Sequence, residues 1–209
     1  MKGLLLKDWY MMTRYCRSYI AIALIFIALS VISDDNMFYV FYPCIICGII
    51  PVNLLAYDER SRWIGYSCSL PCSRTQIVSA KYLMGLMSQL AMIFAIGAVQ
   101  GIKMSVKGTF SLEEFSVLLL AVLLISIISS SVSLPFIFKL GVEKGRIAYY
   151  VMIGLVCALS VIASNVFKGN VQISVPSGAL QVVLALASVG IYALSWFLSV
   201  VFYSKREIQ

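Results

Sequence analysis

The amino-acid sequence predicts an all-α membrane protein with six transmembrane helices and both termini in the cytoplasm. Of its 209 residues, 61% are hydrophobic and only 12% are charged, whereas soluble domains contain about 45–50% apolar and about 25% charged residues. A soluble domain of this length could not bury so much apolar surface, so we expect the solvent of this chain to be lipid. Residues 1–209 should form a single transmembrane domain.

Six apolar runs are each close to the length of about 20 helical residues that crosses a bilayer. We expect the short first run to continue back through Cys16, with Arg17 reaching the headgroups. Two prolines in the second run, Pro43 and Pro51, predict a kinked or broken helix. The runs are residues 19–33, 37–56, 82–102, 115–138, 147–167 and 179–203.

Lysine and arginine residues are concentrated in alternate segments. The N-terminal segment, the loops after the second and fourth runs and the C-terminal tail hold all of the 16 basic residues except Lys103, Lys107 and Lys168. The positive-inside rule then places both termini in the cytoplasm. This asymmetry accounts for the net charge of +7 without nucleic acid, although basic segments should attract anionic membrane lipids weakly.

Residues 1–17 are predicted to form an amphipathic helix that lies in the membrane interface. Leu5, Trp9 and Met12 share one helical face, and Lys7 lies on the opposite face. Tryptophan is enriched at headgroup depth, which suits an interfacial position. The alternative is that this segment is only an extension of the first span.

The longest polar stretch of the chain, residues 58–81, predicts a structured cytoplasmic loop. We expect residues 59–66 to form a short helix that is followed by a turn. Ser73 and Gln76 have the spacing of a capping box, so a new helix should begin at Arg74 and run into the third span. The residues expected to shape this loop are Leu70 and Pro71 at the turn, Ser73, Arg74 and Gln76 at the helix start, and Lys81.

A short charged helix with aromatic side chains would suit docking to another protein. Aromatic and arginine residues dominate the energetic hot spots of interfaces, and the predicted helix contains Arg60, Arg62, Trp63 and Tyr66. The alternative is a solvated loop whose arginines only fix the membrane topology.

The composition excludes several classes of chemistry. The chain has no histidine, so it lacks a serine–histidine–aspartate triad and a histidine-based zinc site. Its six cysteines are too few for a disulfide scaffold, and we expect no metal. The predicted spans contain no acidic or basic residue at hydrocarbon depth, which argues against proton or sodium coupling and favours an external energy source. The polar residues that could line a pathway, or could simply support helix packing, include Asn53, Gln89, Ser129 and Ser133.

Residues 57–63, 69–74 and 77–83 together resemble the hallmark segment of type-2 ABC exporter permeases. More narrowly, the chain is similar to small bacterial permeases that include the phenol-soluble-modulin exporter subunits. The opening residues 4–8 are similar to the start of the N-terminal helix of these permeases. The resemblance therefore covers the interfacial helix and the cytoplasmic loop.

The resemblance implies a multi-pass permease subunit in a bacterial cytoplasmic membrane. It implies a second permease chain, identical or different, and two copies of a cytoplasmic ABC ATPase that bind ATP and magnesium. The present chain has no phosphate-binding loop, so it should bind no cofactor and catalyse no hydrolysis itself. The resemblance also implies that the loop carries a coupling helix. Its candidate contacts with the ATPase are Asp58, Glu59, Arg60, Arg62, Trp63 and Tyr66.

The expected cargo is amphipathic or hydrophobic, such as an antimicrobial or cytolytic peptide. A lipid or a hydrophobic drug would suit the same apolar pathway. Two other classes of function stay open from the residues alone. One is a non-transport membrane protein, such as an immunity or sensor-associated subunit, and the other is a channel or carrier that works without ATP.

Overall fold

In a computed structural model of the protein, all regular structure within the described residues is α-helical, as the sequence predicts. The described residues are 2–32, 38–67, 73–108, 111–145, 147, 150–151 and 178–205. The helices are α1 (Lys2–Tyr15), α2 (Arg17–Ile32), α3 (Phe38–Arg60), α4 (Trp63–Ser67), α5 (Arg74–Val106), α6 (Leu112–Leu140) and α7 (Gly178–Lys205).

Four of these helices, α3, α5, α6 and α7, are long and apolar enough to cross a membrane. The pair α1 and α2 forms a fifth candidate with a bend of 67°. The described residues therefore contain four candidate spans, or five if the bent pair is one span. The predicted span at residues 147–167 lies almost entirely outside the described residues. A total of six spans and the side on which the termini lie stay predictions.

The first span does not continue straight back through Cys16, contrary to the sequence-based expectation. The helix axis turns by 67° between α1 and α2. At the turn, Arg17 Nε donates a hydrogen bond to Thr13 O at 2.7 Å. This bond satisfies one of the carbonyls that the end of α1 leaves without a helical partner.

Helix α3 is continuous although it contains Pro43 and Pro51, so of the predicted kink or break the break is wrong and the kink stays a prediction. Both prolines are buried, and a Cβ atom added to Gly85 of α5 would lie 3.2 Å from Pro51 Cγ. Pro51 is therefore packed closely against α5. Helix α3 is the central helix, since 67% of its most apolar window is buried, against 17% for α7.

Local sequence signals explain where α6 begins and ends. Ser111 Oγ accepts a hydrogen bond from Glu114 N at 3.4 Å, and Glu113 and Glu114 place negative charge in the first turn, which the helix dipole favours. Gly141 ends the helix with φ of 84°, a backbone conformation that glycine adopts without steric cost. The chain after α6 therefore turns sharply.

Helix α7 is polar on the side that faces the protein and apolar on the outside. Its buried residues are three serines and one tyrosine, Ser188, Ser195, Ser199 and Tyr203, which share one helical face. Large apolar side chains such as Leu186 and Phe197 are more than half exposed. This distribution is the reverse of a soluble helix and fits a helix with lipid around it.

A polar network joins α5 to α7 inside the bundle. The hydroxyl of Tyr82 lies 2.7 Å from Ser195 Oγ and 2.7 Å from Ser199 Oγ. Tyr192 of α7 donates to the backbone carbonyl of Tyr82 at 2.7 Å. Hydrogen bonds of this kind associate helices in lipid, where apolar burial between helices gives little driving force.

Candidate functional site

Helix α1 presents an acidic residue to the protein interior. Its buried residues are Leu4, Asp8 and Met12, which lie on one face, whereas Trp9 is 46% exposed. Of the residues predicted to share the membrane-facing side, Met12 is thus buried in the protein and Trp9 is exposed, and the interfacial position of the helix stays a prediction. The exposed position of Trp9 is compatible with an interfacial helix, and burial of Asp8 has a specific cause in the residues around it.

Four charged residues form a buried cluster that joins α1, α3 and α5. Lys81 Nζ lies 2.7 Å from Asp8 Oδ1 and 2.6 Å from Asp58 Oδ2. Lys7 Nζ donates to the two carboxylate oxygens of Asp58 at 2.8 and 3.0 Å and lies 3.3 Å from Asp8 Oδ1. We call Lys7, Asp8, Asp58 and Lys81 the charge cluster.

The charge cluster is electrically balanced and almost free of solvent. The side chains of Asp8 and Lys81 are each 2% exposed, that of Asp58 is 4% exposed and that of Lys7 is 24% exposed. An isolated buried ion costs several kcal/mol, so burial of these groups depends on two positive charges facing two negative ones. The cluster therefore requires α1, α3 and α5 to be together at one end of the bundle.

Neither Lys7 nor Asp8 was predicted to belong to a site. Asp58 and Lys81 were predicted as the two ends of the cytoplasmic loop, with Lys81 on the helix that begins at Arg74. In the structure Lys81 lies on that helix, α5, whereas Asp58 lies within α3. The sequence does hold a signal that Lys81 is buried. The apolar helical pattern of α5 already begins at the buried residues Ile77 and Val78, and Lys81 follows them at helical spacing.

Glu59, the residue after Asp58 on α3, holds the segment that follows α6. Glu59 Oε2 accepts a hydrogen bond from Val142 N at 3.0 Å, just after the end of α6. The segment 141–145, which is helical from residue 142 and which we call the turn after α6, folds back on α6 so closely that a Cβ atom added to Gly145 would lie 2.7 Å from Ile137 Cα. The last two acidic residues of α3 thus connect it to α1 and α5 through Asp58 and to the turn after α6 through Glu59.

A short turn separates α3 from α4, so the predicted helix over residues 59–66 is divided in two. Helix α3 continues to Arg60, and α4 begins at Trp63. Arg62 lies between them with φ of 53°, a left-handed conformation that only a few per cent of non-glycine residues adopt. This residue breaks the helical path and redirects the chain.

The tryptophan at the start of α4 packs inward. Trp63 is half-buried and packs against an apolar cluster to which α1, α3, α5, α6 and α7 contribute, and Lys7 Nζ lies 4.3 Å from the centroid of its ring. The rings of Trp63 and Tyr66 have centroids 5.4 Å apart. Helix α4 is thereby joined to the charge cluster through the Lys7 ammonium. The end of the bundle that carries α1, α4 and the turn after α6 we call the α4 end.

The six predicted ATPase contacts divide into an inner and an outer set. Asp58 is buried, and Glu59 and Trp63 are half-buried in contacts within the chain. Arg60, Arg62 and Tyr66 are exposed. The outer set is therefore accessible to another protein.

The start of α5 is built as the sequence predicts. Ser73 Oγ accepts a hydrogen bond from Gln76 N at 3.2 Å, and Gln76 Oε1 accepts one from Ser73 N at 3.2 Å, so the capping box is confirmed. Arg74 Nη1 donates to Ser204 O at 2.7 Å and ties the start of α5 to the end of α7. Leu70 and Pro71, the predicted turn, lie outside the described residues.

A polar cavity of about 850 Å³ lies at the α4 end between α2, α3 and the turn after α6. Tyr19 and Tyr57 contribute aromatic rings to its wall. Side chains of both charges also line it, so the cavity offers hydrogen-bond and ionic partners beside apolar ones. These polar lining residues are Asn53, Glu59, Arg60, Glu143 and Lys144.

The model of the family described as ABC-2 family transporter protein matches residues 3–204. The chain belongs to the ABC-2 transporter family. The match extends from α1 to α7 and so includes both the charge cluster and α4. Neither the curated proteins nor the solved structures that were searched contain a match. Membership makes the chain the membrane component of an ABC transporter, and this family of permeases implies a separate ABC ATPase as partner.

The predicted pathway residues of this ABC-2 permease occupy different environments. Gln89 Nε2 donates to Ser126 O of α6 at 2.7 Å. Ser133 Oγ donates within α6 to Ser130 O at 3.3 Å. Ser129 faces Gly48 of α3, where a Cβ atom added to Gly48 would lie 2.6 Å from Ser129 Oγ. Asn53, by contrast, lines the polar cavity. The contacts of Gln89, Ser129 and Ser133 favour helix packing, and a role of any of the four residues in a pathway stays a prediction.

Proposed function

We propose that this ABC-2 permease is the membrane subunit of an ATP-driven exporter in a bacterial cytoplasmic membrane. Its cargo would be an amphipathic or hydrophobic molecule, such as an antimicrobial or cytolytic peptide. The observation that carries the proposal is the family match over residues 3–204, which covers nearly the whole chain. Both termini and the α4 end would face the cytoplasm, as the distribution of basic residues predicts.

The outer surface of the α4 end is the proposed docking site for the ATPase. Arg60, Arg62 and Tyr66 are exposed and adjacent there. Arginine and tyrosine are enriched among residues that dominate interface energies, and two exposed arginines would suit an acidic groove on the ATPase. We propose that two ATPase copies, which carry ATP and magnesium, bind two permease chains, identical or different, in this way.

The inner residues of the α4 end would transmit force from the ATPase to the spans. Movement of α4 is transferred to the end of α3, because only a two-residue turn separates the helices. Asp58 connects that end to α1 and α5, and Glu59 connects it to the turn after α6. Short ion pairs between packed helices favour movement of the helices as a unit. ATP binding could then bias the bundle between inward-open and closed arrangements.

The polar cavity supports an amphipathic cargo. Its volume of about 850 Å³ lies within the range of small-molecule sites, about 300–1,000 Å³. It could accept the polar end of a cargo or one segment of a peptide. Arg60 and Lys144 offer positive charge and Glu143 offers negative charge. The apolar part of the cargo would lie against the surrounding helices or lipid.

The proposal is tested by co-expressing the chain with its cognate ABC ATPase and purifying the complex in detergent. Arg62→Glu and Tyr66→Ala should reduce the amount of ATPase that co-purifies at least severalfold, because both side chains lie on the proposed docking surface. Arg14→Glu makes the same charge change at an exposed residue of α1 and should leave the yield unchanged. Equal recovery of the ATPase with all three variants would overturn the docking assignment. Cargo movement in liposomes without any ATPase would instead indicate a channel or carrier.

A further inference from the structure

Lys7 belongs to α1 but has its main contacts with other elements. It donates two hydrogen bonds to Asp58 of α3 and lies over the ring of Trp63, the first residue of α4. It is also the most exposed member of the charge cluster, at 24%. Lys7 therefore links α1 to the first residue of the proposed ATPase-docking helix.

Lys81 also connects α1, α3 and α5, because its Nζ lies 2.7 Å from Asp8 Oδ1 and 2.6 Å from Asp58 Oδ2. What Lys7 adds is the contact with Trp63, at 4.3 Å from the ring centroid. An ammonium at this distance over an indole is attracted by the negative face of the ring.

Helix α4 cannot fix its own orientation. It has five residues, far fewer than an isolated helix needs to be stable. The preceding turn holds Arg62 in a left-handed conformation. Within the described part of the chain, Trp63 Nε1 has no hydrogen-bond partner, so the indole is held by contacts with its ring, of which Lys7 provides the charged one.

We propose that Lys7 is a positioning residue that sets the orientation of α4 from α1. This inference rests on the proposed function for its consequence, because α4 is the proposed docking helix for the ATPase. It adds a role for α1 that the family match does not assign. Displacement of α1, which lies at the bend of 67°, would then alter how α4 is presented to the ATPase.

The first experiment needs only the chain itself. A variant with Trp9→Phe and Trp196→Phe leaves Trp63 as the single tryptophan, and acrylamide quenching in detergent then measures access to its ring. Lys7→Met keeps the aliphatic stem and removes the charge, so quenching of Trp63 should increase. Lys7→Arg keeps a cation over the ring and should restore low quenching. Lys2→Met, an exposed change on the same helix, should have no effect.

The second experiment measures ATPase affinity and maximal turnover separately in the purified complex. Lys7→Met should weaken the affinity for the ATPase by about three- to tenfold, the size expected for loss of one cation–π contact. Turnover at saturating ATPase should change much less, and Lys7→Arg should restore the affinity. If Lys7→Met only destabilised the chain, less folded protein would be recovered, but the folded fraction would bind the ATPase with wild-type affinity.

The outcomes separate this inference from the proposed function. If Arg62→Glu weakens ATPase binding but Lys7→Met changes neither quenching nor affinity, the positioning role of Lys7 is refuted and the docking site stands. If Lys7→Met increases Trp63 quenching but Arg62→Glu does not affect the ATPase, the docking proposal is refuted while Lys7 still positions α4.

Discussion

Asp58 and Lys81, the two ends of the predicted loop, form a buried ion pair in which Asp58 Oδ2 lies 2.6 Å from Lys81 Nζ. The pair closes the loop at its base and joins α3 to α5. The segment between these two residues is thus attached at both ends to the charge cluster. The described parts of the loop, residues 58–67 and 73–81, are therefore extensions of the helix bundle.

Removing the Lys81 charge should destabilise the protein strongly. In Lys81→Met, Asp8 and Asp58 remain buried with Lys7 as their only counter-charge among the described residues. Breaking a buried ion pair by removing one partner costs about 3–5 kcal/mol. Thermal unfolding in detergent should show a clearly lower transition temperature than for the wild type. Lys144→Met, at an exposed lysine, is the control, and equal transition temperatures for both variants would argue against the cluster.

Loss of the Glu59 carboxylate should loosen the turn after α6. Glu59→Ala leaves the buried Val142 N–H without its acceptor, which costs about 1–3 kcal/mol. Hydrogen exchange of residues 141–145 should become faster, while exchange in the middle of α5 stays the same. Glu59→Gln retains an acceptor oxygen and should lie close to wild type. If both variants exchange at the wild-type rate, Glu59 does not hold this turn.

The close approach of α3 and α6 should make Gly48 intolerant of a side chain. In Gly48→Ala the new Cβ would lie 2.6 Å from Ser129 Oγ, and overpacking of this kind costs about 1–3 kcal/mol. Adding Ser129→Ala removes that oxygen and should recover part of the lost stability. Gly190→Ala is the matched control, since its Cβ would meet no atom within 4 Å. Equal melting temperatures for Gly48→Ala and Gly190→Ala would contradict the packing.

Cys16 should report whether α1 is docked. The residue is fully buried at the bend between α1 and α2, and burial raises the pKa of its thiol. Because the thiolate is the reactive form, labelling by maleimide should be slow at neutral pH and faster as the pH rises. In a variant with Cys16 as the only cysteine, Asp8→Asn should accelerate labelling by weakening the contact of α1 with Lys81. A rate that Asp8→Asn does not change would mean that the cluster does not hold α1.

The parts of the fold that depend on local sequence were predictable, and those that depend on distant partners were not. The capping box of Ser73 and Gln76 spans only four residues, so a local sequence pattern predicts it, and it was confirmed. The bond between Lys81 and Asp8 joins residues 73 positions apart, and no periodic pattern encodes it. Burial of Asp8 was missed for the same reason, because an amphipathic pattern treats a charged residue such as Asp8 as solvent-facing.

The boundaries of α4 failed for a different reason. Turns with positive φ are normally recognised by glycine or asparagine, and this turn uses Arg62. The sequence signal was therefore absent, although the inward packing of Trp63 supports the turn. The apolar runs, by contrast, predicted the apolar cores of α3, α5, α6 and α7. A helix that crosses lipid needs a certain length and an apolar composition, and both are visible in the sequence.

The most direct test of the central claim is site-specific photo-crosslinking from the α4 end in cells that contain the cognate ABC ATPase. A benzophenone amino acid at Tyr66 should form a covalent adduct with the ATPase, because Tyr66 is exposed on the proposed docking surface. The same amino acid at Phe197, which is exposed on α7, should not. An ATPase adduct from Tyr66 alone is the predicted result. No ATPase adduct from Tyr66, with the complex otherwise intact, would contradict the account.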